Sequence, residues 1–322
     1  MNRFNVVVTS PHLAPAAVAI LERAGCAIHY LPPYPSAAAL AALVAAVAAD
    51  AILARQGVVD AAAIAAAPRL RVVARHGVGV DEVDLAAASA HGVVVTNTPG
   101  ANARAVAEHT LALILGLVRD LRPLGVTIAG GGWRDPARGG RDLAGLRLGL
   151  VGCGAIGREV ARLAAAFAMT VASSDPALPP AGVAGIARAD PVAALAAGSD
   201  VVSVHCPLTS ATRGLVGAAV LAAMPRGSFV VNTARGGIVD EAALLAALDS
   251  GQIAGAALDV FAVEPPPADH PLRNHPRVLA TPHVAGSTPG ALVNMGVQAA
   301  ECIALLLGGG AVPPERVVMA AS

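Results

Sequence analysis

The chain contains no lysine; all 22 of its basic residues are arginine. That absence removes several chemistries. A phosphate-binding P-loop places a lysine on the phosphates. Schiff-base catalysis, pyridoxal phosphate enzymes included, needs an amine nucleophile. Dehydrogenases built on a catalytic lysine or a Tyr-Lys pair are excluded too, and the only tyrosines, Tyr30 and Tyr34, lie far from the motifs below. Acid–base chemistry therefore falls to His, Asp, Glu or Cys. An excess of one charge is also missing: 22 acidic residues balance the arginines, so no broad basic surface argues for nucleic acid or membrane. Cys26, Cys153, Cys206 and Cys302 are scattered without metal-like pairing. No metal is expected, and a reduced, cytoplasmic compartment fits best. The longest uncharged apolar run, residues 37–49, is too short to span a bilayer. The opening Met1-Asn2-Arg3-Phe4-Asn5 runs straight into Val6-Val7-Val8 without the apolar stretch of a secretory leader, so none is expected.

What the chain does have is glycine in a telling order. Leu148-Gly149-Leu150-Val151-Gly152-Cys153-Gly154-Ala155-Ile156-Gly157-Arg158 reads as strand, tight turn and helix start, and Asp175 follows eighteen residues after Gly157. This is the spacing of a dinucleotide fold. Gly152 makes the turn, Gly154 lets the backbone approach a pyrophosphate, and Gly157 lets helix pack on strand. The helix N-terminus, from Ala155 and Ile156, turns free N–H groups toward the phosphates. Asp175 is placed to accept hydrogen bonds from the adenosine ribose. The same carboxylate would face the 2′-phosphate of NADP. Two such charges about 4 Å apart repel by roughly 2–4 kcal/mol, enough to favour NAD tens- to hundreds-fold.

At 322 residues the chain suits two domains. Its hydrophobic content is 55%, much of it alanine, with only 2% aromatics, as expected for alanine-rich helices on valine-rich strands. Strand candidates at residues 4–9, 51–54, 71–74 and 93–96 alternate with helix-like stretches such as 36–49 and 81–90. That alternation predicts a parallel sheet with helices on both faces. Asn97-Thr98-Pro99-Gly100 is a turn cluster and boundary, and an apolar helix over 102–117 follows. A second unit starts at Leu146, with strand candidates at 201–204, 229–232, 256–258 and 278–280. The proline-rich residues 264–267 cannot be regular interior structure, and a helix over 289–307 is expected as the last element. The nucleotide motif begins near residue 150, so its domain is inserted into another. The expected division is 1–100 plus 286–322 for one domain and 101–285 for the other.

Three polar residues follow predicted strands of the second unit, at the sheet edge where ligands bind. Arg235 lies in Asn232-Thr233-Ala234-Arg235-Gly236-Gly237, Glu264 after Leu258-Asp259-Val260-Phe261, and His283 in Thr281-Pro282-His283. With the glycine motif, and with Arg75-His76-Gly77-Val78-Gly79-Val80-Asp81 and Val106-Ala107-Glu108-His109, these segments resemble the D-isomer-specific 2-hydroxyacid dehydrogenase family. That family includes phosphoglycerate dehydrogenases and glyoxylate/hydroxypyruvate reductases. The likeness runs from about Arg55 to Gly286. It implies two doubly wound parallel-sheet α/β domains, a Rossmann NAD-binding domain inserted into a flavodoxin-like substrate domain. Reducing a 2-oxo acid needs a hydride at carbon and a proton at oxygen. His283 is the proton donor, because imidazole is poised near neutral pH. Glu264 would bond the other ring nitrogen and favour imidazolium, and Arg235 would grip the carboxylate and polarise the carbonyl. The resemblance implies the same three roles. It further implies substrate contacts from the backbone near Val78 and Gly79, with Asn102 and Arg55 as additional candidates. On the cofactor side it implies Asp259 on the nicotinamide carboxamide and Cys206, Pro207, Thr233, Ala234 and Gly286 lining the site.

The departures are local. Many relatives carry Arg-Ser-x-Thr where this chain has Arg55-Gln56-Gly57-Val58, and an aromatic residue where it has Ser174. The expectation is also that no C-terminal regulatory domain, and so no serine feedback through one, accompanies this chain. Family members are commonly dimers through the nucleotide domain; residues 111–118 could supply part of that contact, and Trp133 with Arg134, Arg138 and Arg141 forms a solvated or dimer-facing arm. Cys206 reads as a packing residue, and Glu108 as an anchor of the helix that contains it. Two rivals remain: a phosphite dehydrogenase-like enzyme, and an NAD-sensing, corepressor-like binding protein. Formate oxidation is disfavoured by Glu264, where formate dehydrogenases of this fold carry glutamine.

Overall fold

The computed structural model describes residues 3–134 and 139–319. In chain order its elements are β1 (Phe4–Val8), α1 (Pro15–Arg23), β2 (Cys26–Tyr30), α2 (Ala37–Ala46), β3 (Ala51–Ala54), α3 (Ala61–Ala65), β4 (Val72–Arg75), α4 (Leu85–Ala90) and β5 (Val94–Thr96). Next come α5 (Ala103–Val118), α6 (Leu121–Ala129), β6 (Arg147–Val151), α7 (Ala155–Ala166), β7 (Thr170–Ser174), β8 (Ala187–Arg188), α8 (Val192–Ala197), β9 (Val201–Val204), α9 (Ala218–Ala223) and β10 (Ser228–Asn232). The chain finishes with α10 (Glu241–Asp249), β11 (Ile253–Leu258), α11 (Pro271–Asn274), β12 (Val278–Ala280), α12 (Pro289–Leu307) and β13 (Val317–Met319). Two compact units result: the chain through Asn102 together with Ser287 onward, and Ala103–Gly286 between them.

The first unit holds a six-stranded sheet in the order β13-β5-β4-β3-β1-β2. Leaving β13 aside, this is the doubly wound 2-1-3-4-5 order. Its strands read as apolar runs because helices cover both faces; Val6, Val8, Ala51, Leu53 and Val72 pack toward α12, and Val7, Ile52 and Val73 toward α2 and α3. Asp60, Asp84 and Ser36 cap their helices through side-chain oxygens, each cap contributing about 1 kcal/mol. Two expectations change here. The helix placed at 81–90 starts only at Leu85, because Asp84 is its N-cap and Val83 bridges to Val59. The helix at 289–307 is not the last element: β13 follows and pairs antiparallel with β5, an edge strand too short to stand out in the sequence. That helix, α12, has the length and composition of a membrane span. Here it is a core helix, burying Met295, Ala299, Ala300 and Ile303.

The second unit holds a seven-stranded sheet, β12-β11-β10-β9-β6-β7-β8. All its pairs are parallel, and counted from β6 the order is the Rossmann 3-2-1-4-5-6-7. The strand order reverses between β6 and β9, which opens a crevice beyond their carboxyl ends. The apolar residues 111–118 do not remain for a subunit contact as expected: Leu111, Leu113, Ile114, Leu117 and Val118 are buried in this unit's own core. Helix α6 instead buries nothing and leaves Leu121, Val126 and Ile128 exposed by 57%, 67% and 56%.

Candidate active site

The glycine turn lies at the β6–β9 crevice. Gly152 has φ +100°, and a Cβ there would meet the Cys206 nitrogen at 2.7 Å. A Cβ on Gly157 would meet the Gly152 carbonyl oxygen at 2.5 Å, which fixes the helix against the turn. Gly154 is different: it is exposed, with nothing within 4 Å of its missing Cβ. Gly152 and Gly157 thus make the fold, and Gly154 leaves open space at the N-terminus of the twelve-residue α7. That is the cradle a pyrophosphate requires. Asp175, just past β7, accepts the Cys153 N–H on Oδ2 at 2.6 Å and the Ala177 N–H on Oδ1 at 2.8 Å. The ribose candidate is therefore tied directly to the glycine turn.

Across the crevice, Cys206 is half-buried and its thiol is pushed up to about 11 by burial, with Asp175 adding to the effect. It is a packing group rather than a thiolate at neutral pH. Pro207 beside it is exposed, while Ala234 and Gly286 are half-buried. Thr233 is buried and bonded to Thr110 Oγ1 at 3.0 Å.

His283 and Glu264 meet directly: the imidazole Nδ1 lies 2.7 Å from Glu264 Oε2. The geometry has Nδ1–H donating to the carboxylate, which leaves Nε2 as the ring atom for a ligand. Glu264 Oε1 accepts the Phe261 N–H at 3.0 Å, so both carboxylate oxygens are engaged. The Glu264 bond holds the His283 pKa above its ordinary value, against burial and the nearby Arg235 charge, with further support from Glu264's charge and from Asp259. Burial works to raise Glu264, but its bond to His283, the His283 and Arg235 charges and the Phe261 N–H leave it below the usual carboxylate range. Arg235 follows β10 in extended conformation, and its Nη1 donates to the Ala234 carbonyl at 2.8 Å. Asn232 shapes that loop, donating to the Arg235 carbonyl and accepting the Ala234 N–H.

His283 itself has φ +53°, a left-handed conformation that a non-glycine residue adopts only when its surroundings impose it. Asp259 imposes it. This carboxylate is 1% exposed. It accepts from Thr281 Oγ1 at 2.6 Å, from the Val284 N–H at 2.9 Å and from the Ala285 N–H at 2.9 Å, while its carbonyl accepts the His283 N–H at 2.8 Å. The resemblance assigns Asp259 to a nicotinamide; in the fold it clasps the loop that carries His283. His109 on α5 joins the same knot, with Nε2 at 3.1 Å from Thr281 Oγ1. Thr281 carries a structural role here that the sequence motif contained but did not reveal.

Arg55, Val78, Gly79 and Asn102 belong to the first unit. The carbonyls of Val78 and Gly79 are held by Asn97 Nδ2 and Arg75 Nε at 2.8 and 3.0 Å. This fixes the loop whose N–H groups the resemblance assigns to a carboxylate. Arg55 follows β3, its N–H donating to Thr9 Oγ1 and its carbonyl accepting from Arg75. Asn102 Oδ1 is buried without a hydrogen-bond partner among the described residues. Glu108 pairs with Arg104 one turn back on α5, and its charge is also felt by Arg162 of α7. Arg134 and Trp133 are exposed, Arg141 faces Asp200 at 4.0 Å, and Arg138 lies outside the described residues. Among the described residues no three His, Cys, Asp or Glu side chains cluster as metal ligands.

Residues 111–285 match the family model of the D-isomer specific 2-hydroxyacid dehydrogenase, NAD binding domain. The chain belongs to the D-isomer specific 2-hydroxyacid dehydrogenase family. A D-3-phosphoglycerate dehydrogenase of Bacillus subtilis is 44% identical over 233 residues, 72% of this chain and 44% of that protein. The chain spans about half the length of the curated relatives it matches. A protein of Thermus thermophilus with a solved structure is 36% identical, with 98% of this chain and 100% of that one covered and a TM-score of 0.87. An NAD+-bound 3-phosphoglycerate dehydrogenase of Entamoeba histolytica is 26% identical, with 99% of each chain covered and a TM-score of 0.84. NAD is the cofactor of this domain, and the open Gly154 turn at the start of α7 fits its pyrophosphate.

Proposed function

We propose that the protein is an NAD-dependent D-2-hydroxyacid dehydrogenase that interconverts a small 2-hydroxy acid and its 2-oxo acid. Its substrate is of the hydroxypyruvate, glyoxylate or 3-phosphoglycerate type. The observation that carries this reading is the 2.7 Å Glu264–His283 bond, made through Nδ1. Bound NADH supplies the hydride. His283 Nε2 delivers the proton to the carbonyl oxygen in reduction and takes it from the hydroxyl in oxidation. Glu264 orients the ring and stabilises imidazolium. Arg235 presents its planar guanidinium to the substrate carboxylate and opposes the charge developing on oxygen. Gly152, Gly154, Ala155, Ile156 and Gly157 hold the pyrophosphate, and Asp175 holds the adenosine ribose. The loop with Val78 and Gly79 contributes backbone donors to the substrate, with Arg55 and Asn102 as further contacts.

The exposed apolar face of α6 supports a homodimer formed through the second unit. Four free cysteines support a reducing, cytoplasmic setting. The test is NADH oxidation against glyoxylate, hydroxypyruvate, phosphohydroxypyruvate, pyruvate and phenylpyruvate, with His283→Ala beside the wild type. Turnover of one member that collapses in the variant supports the reading. Reduction of NAD+ by phosphite with no turnover of any of these 2-oxo acids, or NADH binding with no turnover of anything, overturns it.

A further inference from the structure

Between Asp259 and Glu264 the chain has no regular secondary structure, yet its course is closely held. Gly236 closes one side, since only a missing Cβ leaves room for the Phe261 carbonyl. A second carboxylate closes the other. Glu241 is the first residue of α10, directly after the N-cap Asp240. Its Oε1 accepts the Ala262 N–H at 2.7 Å, and its Oε2 accepts from His270 Nε2 at 3.2 Å. The His270 ring stands edge-on to the Phe261 ring, with centroids 5.5 Å apart and planes at 81°. Both side chains of the Glu241–His270 pair are only 19% exposed, so water competes weakly for the bond between them.

These contacts connect one carboxylate–imidazole pair to the other. Glu241 fixes the Ala262 N–H. The N–H one residue earlier, that of Phe261, holds Glu264 Oε1 at 3.0 Å, and Glu264 Oε2 holds His283 Nδ1 at 2.7 Å. A shift of the 261–262 backbone therefore moves the Glu264 carboxylate away from the imidazole. We propose that Glu241, partnered by His270, is a positioning residue that sets Glu264 against His283. The inference rests on the acid–base role of His283 in the proposed function. The charged groups that face the His283 ring are Glu264, Arg235 and Asp259, with His109 of α5 3.7 Å from the Asp259 carboxylate. Glu241 is not among them, so its influence on the ring runs through the placement of Glu264.

The test compares Glu241→Ala, Glu241→Asp and Glu241→Gln with the wild type, each as the full chain. In Glu241→Ala, kcat for 2-oxo acid reduction falls about tenfold and the KM for NADH stays within about twofold. The descending limb of its pH profile moves about half a unit lower, because a displaced Glu264 supports imidazolium less. Glu241→Asp keeps a carboxylate at the start of α10 but is one methylene short of Ala262, and it behaves alike. Glu241→Gln, whose amide oxygen still accepts the Ala262 N–H, recovers most of the rate and the wild-type limb. The His283 titration read by NMR without substrate moves in the same direction as the limb. An unmoved titration in folded Glu241→Ala or Glu241→Asp overturns the proposal. If the wild type reduces no 2-oxo acid, the proposed function fails separately, while the NMR titration still decides whether Glu241 positions Glu264.

Discussion

Gly236 and Phe261 meet backbone to backbone: a Cβ on Gly236 would stand 1.9 Å from the Phe261 carbonyl carbon and 2.2 Å from the Ala262 nitrogen. The two loops so joined carry Arg235 on one side and Glu264 on the other. A methyl group has no flexible neighbour to displace, so the loops must separate. Overpacking of this kind costs about 1–3 kcal/mol or more. Gly236→Ala is expected to lower kcat/KM at least about a hundredfold. At Gly237 the nearest atom to an added Cβ is the end of the Arg213 side chain, 3.1 Å away, and a long side chain can move. Gly237→Ala should stay within a few-fold of wild type. Equal activity of the two variants would mean that the contact at Gly236 does not hold the catalytic groups.

The His283 pKa stands above its ordinary value, with the Glu264 bond as the largest cause. Reduction needs imidazolium and oxidation needs neutral imidazole, so reduction is lost as pH rises through the raised value and oxidation improves over the same range. Glu264→Gln keeps an acceptor for Nδ1–H but removes the charge. The His283 pKa then falls, and the descending limb of reduction moves about one unit or more toward acid, since one unit is about 1.4 kcal/mol of lost preference for imidazolium. Rate–pH profiles in both directions check this. The same limb in wild type and Glu264→Gln would assign the proton to another group.

Much of this was legible in the sequence. The glycine motif, Asp175, and the loops with Arg235, Glu264 and His283 each lie in a short contiguous stretch, where residue type and local geometry are linked directly. What joins these stretches was not legible. The Asp259 clasp on Thr281, Val284 and Ala285 spans more than twenty residues; the Glu241–Ala262 bond spans 21. Both depend on neighbours brought together by the parallel sheet, and no periodicity encodes them. Strand β13 escaped for another reason. Three residues carry little pattern, and only pairing with β5 makes them a strand. The alanine-rich helices also hid which apolar stretches face inward: α5 and α6 are both apolar, but α5 is buried and α6 is not.

Asp175 does two jobs that one substitution can separate. In the proposed function its charge faces the position of an NADP 2′-phosphate; in the fold its oxygens order the glycine turn through Cys153 and the following turn through Ala177. Asp175→Asn removes the charge and keeps a carbonyl acceptor. The ratio of kcat/KM for NADPH over NADH is expected to rise at least about tenfold, matching the loss of roughly 2 kcal/mol of repulsion. Efficiency with NADH should fall only several-fold. Asp175→Ala loses both functions and should lower the NADH value much further. An unchanged cofactor ratio in Asp175→Asn would place the discrimination elsewhere.

Two histidines, His76 and the half-buried His205, set an acid limit on stability, one in each unit. Burial pushes His205 down to about 3 and, with the Arg55 and Arg75 charges, His76 down to about 4. His205 Nε2 meets Ser203 Oγ at 2.8 Å, and its buried Nδ1 has no partner among the described residues. Both folded values lie below the unfolded value near 6.5. The neutral rings therefore leave stability intact above pH ~6.5, and it declines as pH falls toward the folded values, because the unfolded chain binds the protons first. At pH 5 each histidine should cost its unit on the order of 2 kcal/mol relative to pH 7.5. His205→Gln keeps a hydrogen-bonding partner for Ser203 and does not titrate. Urea unfolding followed at both pH values should show the second unit losing about 2 kcal/mol less in this variant than in wild type. An identical loss in the two proteins would mean that His205 already protonates in the folded chain, and that its burial is less complete than its place at the end of β9 indicates.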